Sequence, residues 1–144
     1  RGPQGIHVNA FVWPIRVYYE DTDSGGIVYH ANYLKYMERA RTEWLRARGF
    51  DQGRLKQELG VIFVVRSLQI EYEKPAQIDD KLQVVTQVAA QRRASLLFHQ
   101  LIQREDPEPV VLIRSEVKVA CLDSRTLKPR AIPDQIRMEL TDVG

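Results

Sequence analysis

The sequence predicts an α+β domain in which an antiparallel sheet wraps around one long helix. Three observations carry that expectation. Apolar residues recur at three- and four-residue steps from Asn32 to Ala47. Long strand-like runs fill most of the chain after Gly60. The segments joining those runs are too short for the crossover helices that parallel pairing needs. At 144 residues and 44% hydrophobic content, the chain has the size of one domain able to bury its own core. No internal repeat, low-complexity stretch or Pro/Gly/Ser-rich linker divides it. Residues 1–144 therefore read as a single domain, with 1–12 as an N-terminal extension.

Taken in order, Trp13, Ile15, Val17 and Tyr19 alternate with Arg16, Tyr18 and Glu20, which predicts a strand over 13–20. The acidic DTDSGG stretch after it breaks regular structure. In the long helix, Tyr33, Met37, Ala40, Trp44 and Ala47 form the apolar stripe. Asn32 is placed to N-cap it and Gly49 to close it, with Arg46 and Arg48 near its negative end. A weaker helical signal runs from Gln52 to Leu59 and stops at Gly60. Strands are then expected over 61–73, 82–91, 94–104 and 110–122, following one another as an antiparallel meander. Arg92-Arg93 marks a hairpin tip and Pro107-Glu108-Pro109 a turn. Pro133 opens a short terminal helix through Leu140. A sheet of long strands leaves an edge that invites association, so a second copy paired edge to edge is expected.

Composition narrows the chemistry. The one cysteine, Cys121, excludes an intrachain disulfide or a thiolate-rich zinc site, and His7, His30 and His99 are too few for an all-His/Cys metal site. Net charge is +2 with no basic block, which speaks against nucleic acid or a membrane surface. The chain starts without Met and shows no leader-like apolar segment, and no run reaches membrane-spanning length. A cytoplasmic protein without metal or cofactor is expected.

The densest chemistry lies between Tyr19 and Tyr33, in YEDTDSGGIVYHANY. Glu20, Asp21 and Asp23 fall within four positions, and His30 follows just before the helix. A calcium loop starting at Asp21 would match at Asp21, Asp23 and Gly26. It fails at Gly25 and Asn32, where oxygen ligands are required, and a strand precedes it. No phosphate-binding glycine motif is present. Two readings stay open on the residues alone. In one, Asp21 or Asp23 merely caps the turn and His30 packs at the helix start. In the other, amides of His30, Ala31 or Asn32 hold an oxyanion, each donor being worth about 10²–10³ in rate, and a turn carboxylate attacks a carbonyl or activates water.

The same residues resemble the signature of the 4-hydroxybenzoyl-CoA thioesterase family, most closely its YbgC branch, the Tol-Pal-associated acyl-CoA thioesterases. The likeness continues through Glu38-Arg-Ala-Arg-Thr-Glu-Trp-Leu45, Phe63-Val-Val-Arg66, Glu71-Tyr72 with Pro75-Ala76, Asp79-Asp80 with Leu82, and Lys128-Pro-Arg-Ala131 with Pro133. It spans Trp13 to about Leu140. It implies the hot-dog fold, a homodimer or homotetramer, and hydrolysis of an acyl-CoA to free acid and CoA, with acyl carrier protein as a further partner. It implies that Asp23 is the catalytic carboxylate, with His30 and Tyr19 in the same site, and that the helix-opening amides polarise the thioester carbonyl. Gly26, Tyr29, Ala31 and Asn32 are then the substrate-binding candidates. The aromatic-thioester enzymes usually carry Tyr at the position of His30, which favours the YbgC branch. A hot-dog dehydratase acting on 3-hydroxyacyl thioesters, and a non-enzymatic protein that binds acyl carriers or envelope-machinery partners, are the alternatives.

Other residues have plainer expectations. An Asp is a weak base at neutral pH, so burial is expected to strengthen Asp23. Tyr19, on the apolar face of its strand, is expected to point inward. Cys121 reads as a buried structural thiol and His99 as a packed or interface histidine. Arg66 is a candidate anchor for a carboxylate. Glu38 and Glu43 are helix carboxylates of the kind another hot-dog lineage uses, though a solvated face is the simpler reading. Lys74, Arg92, Arg93, Arg125, Lys128 and Arg130 are candidates for CoA phosphates against a default of scattered surface charge.

Overall fold

The long helix, α1 (Asn32–Ala47), lies against one antiparallel five-stranded sheet, and the pairing order of that sheet sets where the site falls. The structure, a computed structural model, describes residues 10–143. Its strands are β1 (Phe11–Arg16), β2 (Val61–Tyr72), β3 (Lys81–Gln91), β4 (Ser95–Arg104) and β5 (Val110–Asp123). Between α1 and β2 lies α2 (Gln52–Arg54), which continues as one π turn over Leu55–Leu59. The chain ends with α3 (Asp134–Val143). This is the hot-dog arrangement of an antiparallel sheet around a central helix.

The strands do not follow one another as a meander. Their order is β1-β3-β4-β5-β2, so only β3, β4 and β5 are consecutive neighbours. β2 pairs with β5 over nearly its whole length, and β1 pairs with β3 from Phe11↔Thr86 to Arg16↔Lys81. The segment between Tyr72 and Lys81 carries the chain from one sheet edge toward the other, and it passes the acidic turn on the way. Strand periodicity reports which face a residue occupies but not which strand lies beside it.

β1 also begins and ends earlier than its alternation suggests. Phe11 and Val12 already belong to it, which leaves 1–9 outside the described residues, His7 included. Its inward face runs Phe11, Trp13, Ile15 and then Val17, which is fully buried. There the Asp21 carboxylate accepts the Tyr18 N–H at 2.9 Å and pulls the chain into a single 3-10 turn, Tyr19–Asp21. A local side-chain acceptor has displaced the ladder, a competition that favours Asp in turns.

Helix α1 buries two sets of residues. Its first half sets Tyr33, Tyr36, Met37 and Ala40 against Leu82, Val84, Ile102 and Ile113. Its second half sets Trp44 and Leu45 against Phe98, Val117, Val119, Ile132 and Ile136. Each such buried side chain contributes roughly 1.5–3 kcal/mol. Gly49 closes the helix at φ +91°, and the Arg48 guanidinium donates to the Trp44 carbonyl at 2.9 Å while lying 4.2 Å from its ring centroid. Asn32 does not cap the other end. Ala31 occupies the cap position without a side-chain bond, and Asn32 is the first helical residue.

Candidate active site

Residues 18–32 fold as two small turns stitched to the start of α1. Asp21 is the stitch. Its side chain holds Tyr18, and its carbonyl accepts both the Tyr29 N–H at 3.0 Å and the Asn32 side-chain amide at 2.8 Å. Thus Asn32 ties the acidic turn to the helix rather than capping it. Asp21 is a structural acceptor in this turn.

The second turn presents Asp23. Its N–H donates to Ile27 at 2.9 Å, and its carbonyl accepts the Gly26 N–H at 3.0 Å. Its Oδ1 accepts the Gly25 N–H at 2.8 Å. A Cβ on Gly25 would come within 3.3 Å of that oxygen, so this glycine leaves room for the carboxylate. Gly26 sits at φ +82°, a conformation that glycine adopts without strain. Its sequence-predicted place in the site is therefore backbone geometry rather than a side-chain contact. The loop is braced from outside by Val28 N–H on the Ala76 carbonyl at 2.9 Å and by a bridge between Ile27 and Gln77. Asp23 itself is exposed. The burial expected to strengthen it is not supplied by its own chain.

The helix start provides the complementary charge. The Asn32 N–H is taken by the Tyr29 carbonyl at 2.8 Å, so it is not a free donor. Among the described residues, no backbone carbonyl takes the N–H of His30 or Ala31. Those two amides lie at the end of α1 where its partial positive charge emerges.

The His30 side chain is exposed and stands among aromatic rings. Tyr29 lies 4.6 Å away between centroids, and Tyr72 meets it edge-on at 6.2 Å. Tyr72 also donates its hydroxyl to the His30 carbonyl at 3.3 Å and packs on Tyr33 at 5.7 Å. Tyr33 accepts the Ala76 N–H at 2.9 Å, and burial holds its hydroxyl above the usual phenol range. Tyr72 was not singled out as a site residue, although its place after Leu68 and Ile70 on the inward alternation of β2 was the available signal. Beneath the site, the Tyr36 hydroxyl is buried with no hydrogen-bond partner among the described residues. Burial and the neighbouring Asp21 carboxylate both raise its pKa.

Tyr19 departs from expectation. It stands on the 3-10 turn, not on β1, and its side chain is 81% exposed. Its carbonyl accepts both the N–H and the hydroxyl of Thr22, so its contribution to the turn comes from the backbone.

Several residues weighed for other roles fall elsewhere. Cys121 is fully buried in the second half of the core. His99 is exposed on the outer face of the sheet, 3.3 Å from Glu116. Arg66 lies at the β2 bulge between Val65 and Ser67. Arg130 bonds the Gly60 carbonyl at 2.9 Å and reaches Asp123 at 3.4 Å, which makes it a brace rather than a free cation. Glu43 pairs with Arg46 at 2.6 Å. Arg92 and Arg93 do form the β3–β4 tip, and their carbonyls receive Arg137. Among the described residues, no group of three or more His, Cys, Asp or Glu side chains is placed to hold a metal ion, and no helix is long and apolar enough to cross a membrane.

The chain was compared with known proteins. The profile of the thioesterase superfamily matches residues 25–111. Acyl-CoA thioester hydrolase YbgC of Escherichia coli O6:H1 is 47% identical over 134 residues, covering 93% of this chain and 98% of that one. Acyl-CoA thioesterase YbgC of Haemophilus influenzae is 46% identical over 129 residues, covering 90% and 93%. Among solved structures, a probable thioesterase from Bartonella henselae superimposes with a TM-score of 0.80 at 35% identity, covering 86% of this chain and 99% of that one.

Proposed function

The chain belongs to the thioesterase superfamily, and from that premise we propose that it is an acyl-CoA thioesterase whose site is the acidic turn joined to the start of α1. The observation that carries the mechanism is that the one segment 18–32 presents both an exposed Asp23 carboxylate and, among the described residues, two amides, of His30 and Ala31, that no backbone carbonyl takes. The thioester carbonyl oxygen takes those amides, which meet it with more charge as the tetrahedral state develops. Asp23 delivers the attack on the carbonyl carbon, directly or through a water whose proton it removes. The bond to sulfur then breaks and CoA leaves as the thiol after taking up a proton; on the direct route a water then opens the acyl–Asp23 anhydride, releasing the free acid and restoring the carboxylate. His30 stands beside that path as a group able to relay a proton. Tyr19 serves through the backbone of its turn, and its exposed ring is free to meet substrate. Tyr72 positions the His30 carbonyl and ring.

An exposed carboxylate is a weak base, so this reading also asks what excludes water from Asp23. Substrate and a second copy of the chain are the two available covers, which is why the proposal includes a homodimer at least. A cytoplasmic location belongs to the same reading, with acyl-CoA as the substrate and acyl carrier protein as a candidate donor.

The test is a panel of acyl-CoA esters assayed for free thiol, with Asp23→Asn beside the parent. Thiol release should fall by about 10²-fold or more in the variant while the melting temperature holds. Unchanged turnover removes Asp23 from the mechanism. Water elimination from a 3-hydroxyacyl ester without thiol release points to a dehydratase. A silent panel with tight carrier-protein binding points to a non-enzymatic role. Single turnover in heavy-oxygen water tests direct attack: label in the Asp23 carboxylate is left when water opens an acyl–Asp23 anhydride at the Asp23 carbonyl, and attack by water on the thioester cannot put it there.

A further inference from the structure

The segment between β2 and β3 passes the acidic turn, and the backbone ties along it lead to one side chain of α1. At its start, the Glu73 and Lys74 N–H groups both reach the Leu112 carbonyl, at 2.8 and 3.2 Å. At its end, the Asp79 N–H donates to the Val17 carbonyl and the Val17 N–H to the Asp80 carbonyl, each at 3.0 Å. Between these ties, Ala76 is fully buried, and its two backbone groups bond to different parts of the molecule. Its carbonyl takes the Val28 N–H at 2.9 Å, in the loop that presents Asp23. Its N–H donates at 2.9 Å to the hydroxyl oxygen of Tyr33, the second residue of α1.

A path of hydrogen bonds therefore runs from the Tyr33 phenol through both sides of Ala76 into that loop. There Ile27 bridges to Gln77, and the Ile27 carbonyl takes the Asp23 N–H at 2.9 Å. The same ring reaches the other half of the site. Tyr72 packs on it at 5.7 Å between centroids and donates its hydroxyl to the His30 carbonyl at 3.3 Å. Phenylalanine would fill the same space but leave the buried Ala76 N–H without an acceptor. Burial holds the phenol above its usual range, so its oxygen stays a neutral acceptor across the pH at which a carboxylate is charged. The contact is complete within one chain. Tyr33 is 3% exposed, so a second copy covering the site would leave it in place.

We propose that Tyr33 is a positioning residue of the site: its hydroxyl holds the Asp23 loop through Ala76, and its ring holds His30 through Tyr72. Carboxylate and helix start thereby keep one spacing, on which a reaction between oriented groups depends steeply. Being buried, Tyr33 acts through these neighbours rather than on substrate. What the held groups do rests on the thioesterase reading, whereas the hold itself does not.

The test compares Tyr33→Phe with Ser115→Ala in the full chain. Ser115 is also buried, and its hydroxyl donates to the Gln100 carbonyl at 3.1 Å, outside the path just described. Each variant loses a buried hydroxyl, and each should lower the melting temperature by about 3–8 °C. Tyr33→Phe alone should lower kcat for acyl-CoA hydrolysis, about tenfold or more, with KM within about twofold of the parent. Hydrogen exchange at the amides of Asp23, Val28 and Ala76 should quicken about tenfold in Tyr33→Phe and keep its parent rate in Ser115→Ala. In the parent these amides should open as one unit with a shared urea dependence, which judges the proposal even where Tyr33→Phe does not fold. Exchange is read without substrate, so a silent acyl-CoA panel ends the thioesterase reading and leaves the hold to be judged on exchange. An unchanged kcat in Tyr33→Phe, an equal loss in Ser115→Ala, or a KM change that accounts for the loss would overturn the proposal. So would unchanged exchange at Asp23 and Val28, or separate opening of Ala76 and Asp23 in the parent.

Discussion

At the scale of single residues, Asp21 and Asp23 show how much a motif conveys and where it stops. Both are carboxylates in one short turn, yet Asp21 is spent on Tyr18 and, through its carbonyl, on Tyr29 and Asn32, whereas Asp23 keeps an oxygen without a hydrogen bond among the described residues. The turn itself was legible because the residue types and spacing demand one. The exposure of Asp23 and Tyr19 was not, because alternation along a strand carries no information about where a side-chain acceptor will end it. Cys121 was legible for the opposite reason, since an isolated thiol among Val117, Val119 and Ala120 has no partner to activate it. Burial raises its pKa to about 11 from an ordinary value of 9.0. The folded state therefore retains its proton where the unfolded state has lost it. The stability this gives is complete below about pH 9 and is lost as pH rises toward 11, by about 2–3 kcal/mol if the whole shift is realised. Urea unfolding of the parent and Cys121→Ala across that window should give a steeper decline for the parent. Parallel declines would show that the thiol does not hold its proton on folding.

At the scale of elements, α1 joins the two halves of the molecule. Its start supplies the amides at the acidic turn, and its end is fixed by Gly49 and Arg48. The helix was readable from its 3.6-residue period, and its C-terminus from glycine. The N-terminus was misread because Asn favours the cap position in general, whereas here the Asp21 carbonyl offers the Asn32 side chain a better partner than the helix's own amides. Strands were likewise readable one at a time, because inward residues alternate. Their order was not, since the placement of β2 beside β5 depends on packing between segments some fifty residues apart. The Gly49 reading has a direct check. Beyond its chain neighbours, no atom of the described residues lies within 4 Å of the position a Cβ would take, so the cost of Gly49→Ala is conformational. A φ of +91° should make it about 1 kcal/mol, measured as a lower unfolding midpoint in urea with unchanged slope. Hydrolysis should be unaffected, because the site lies at the other end of the helix. A loss larger than about 2 kcal/mol would mean that the end of α1 is packed more tightly than its open surroundings indicate.

At the scale of the whole molecule, the two sheet edges are not equivalent. β1 is short, six residues, and carries Pro14, a residue that blunts an edge. β2 has twelve residues, no proline, and Val64 and Val65 exposed, the latter at 50%. Among the described residues its outer side pairs with nothing. An edge that long and apolar is where a second copy should add, continuing the sheet from one protomer into the other. The same step answers a need at the site, because Asp23 and the aromatic rings around His30 are exposed in one chain and a carboxylate works best where water is excluded. Replacing Val64 and Val65 together by lysine places charge on the edge without entering the core. The parent should sediment at micromolar concentration as a dimer or a multiple of it, and the double variant as a monomer with native circular dichroism. If the partner provides the cover that Asp23 lacks, the monomeric variant should also lose acyl-CoA hydrolysis, although no residue of the acidic turn has been changed. A parent that is a stable, active monomer would remove the dimer from the account. Asp23 would then have only the substrate to shield it from water.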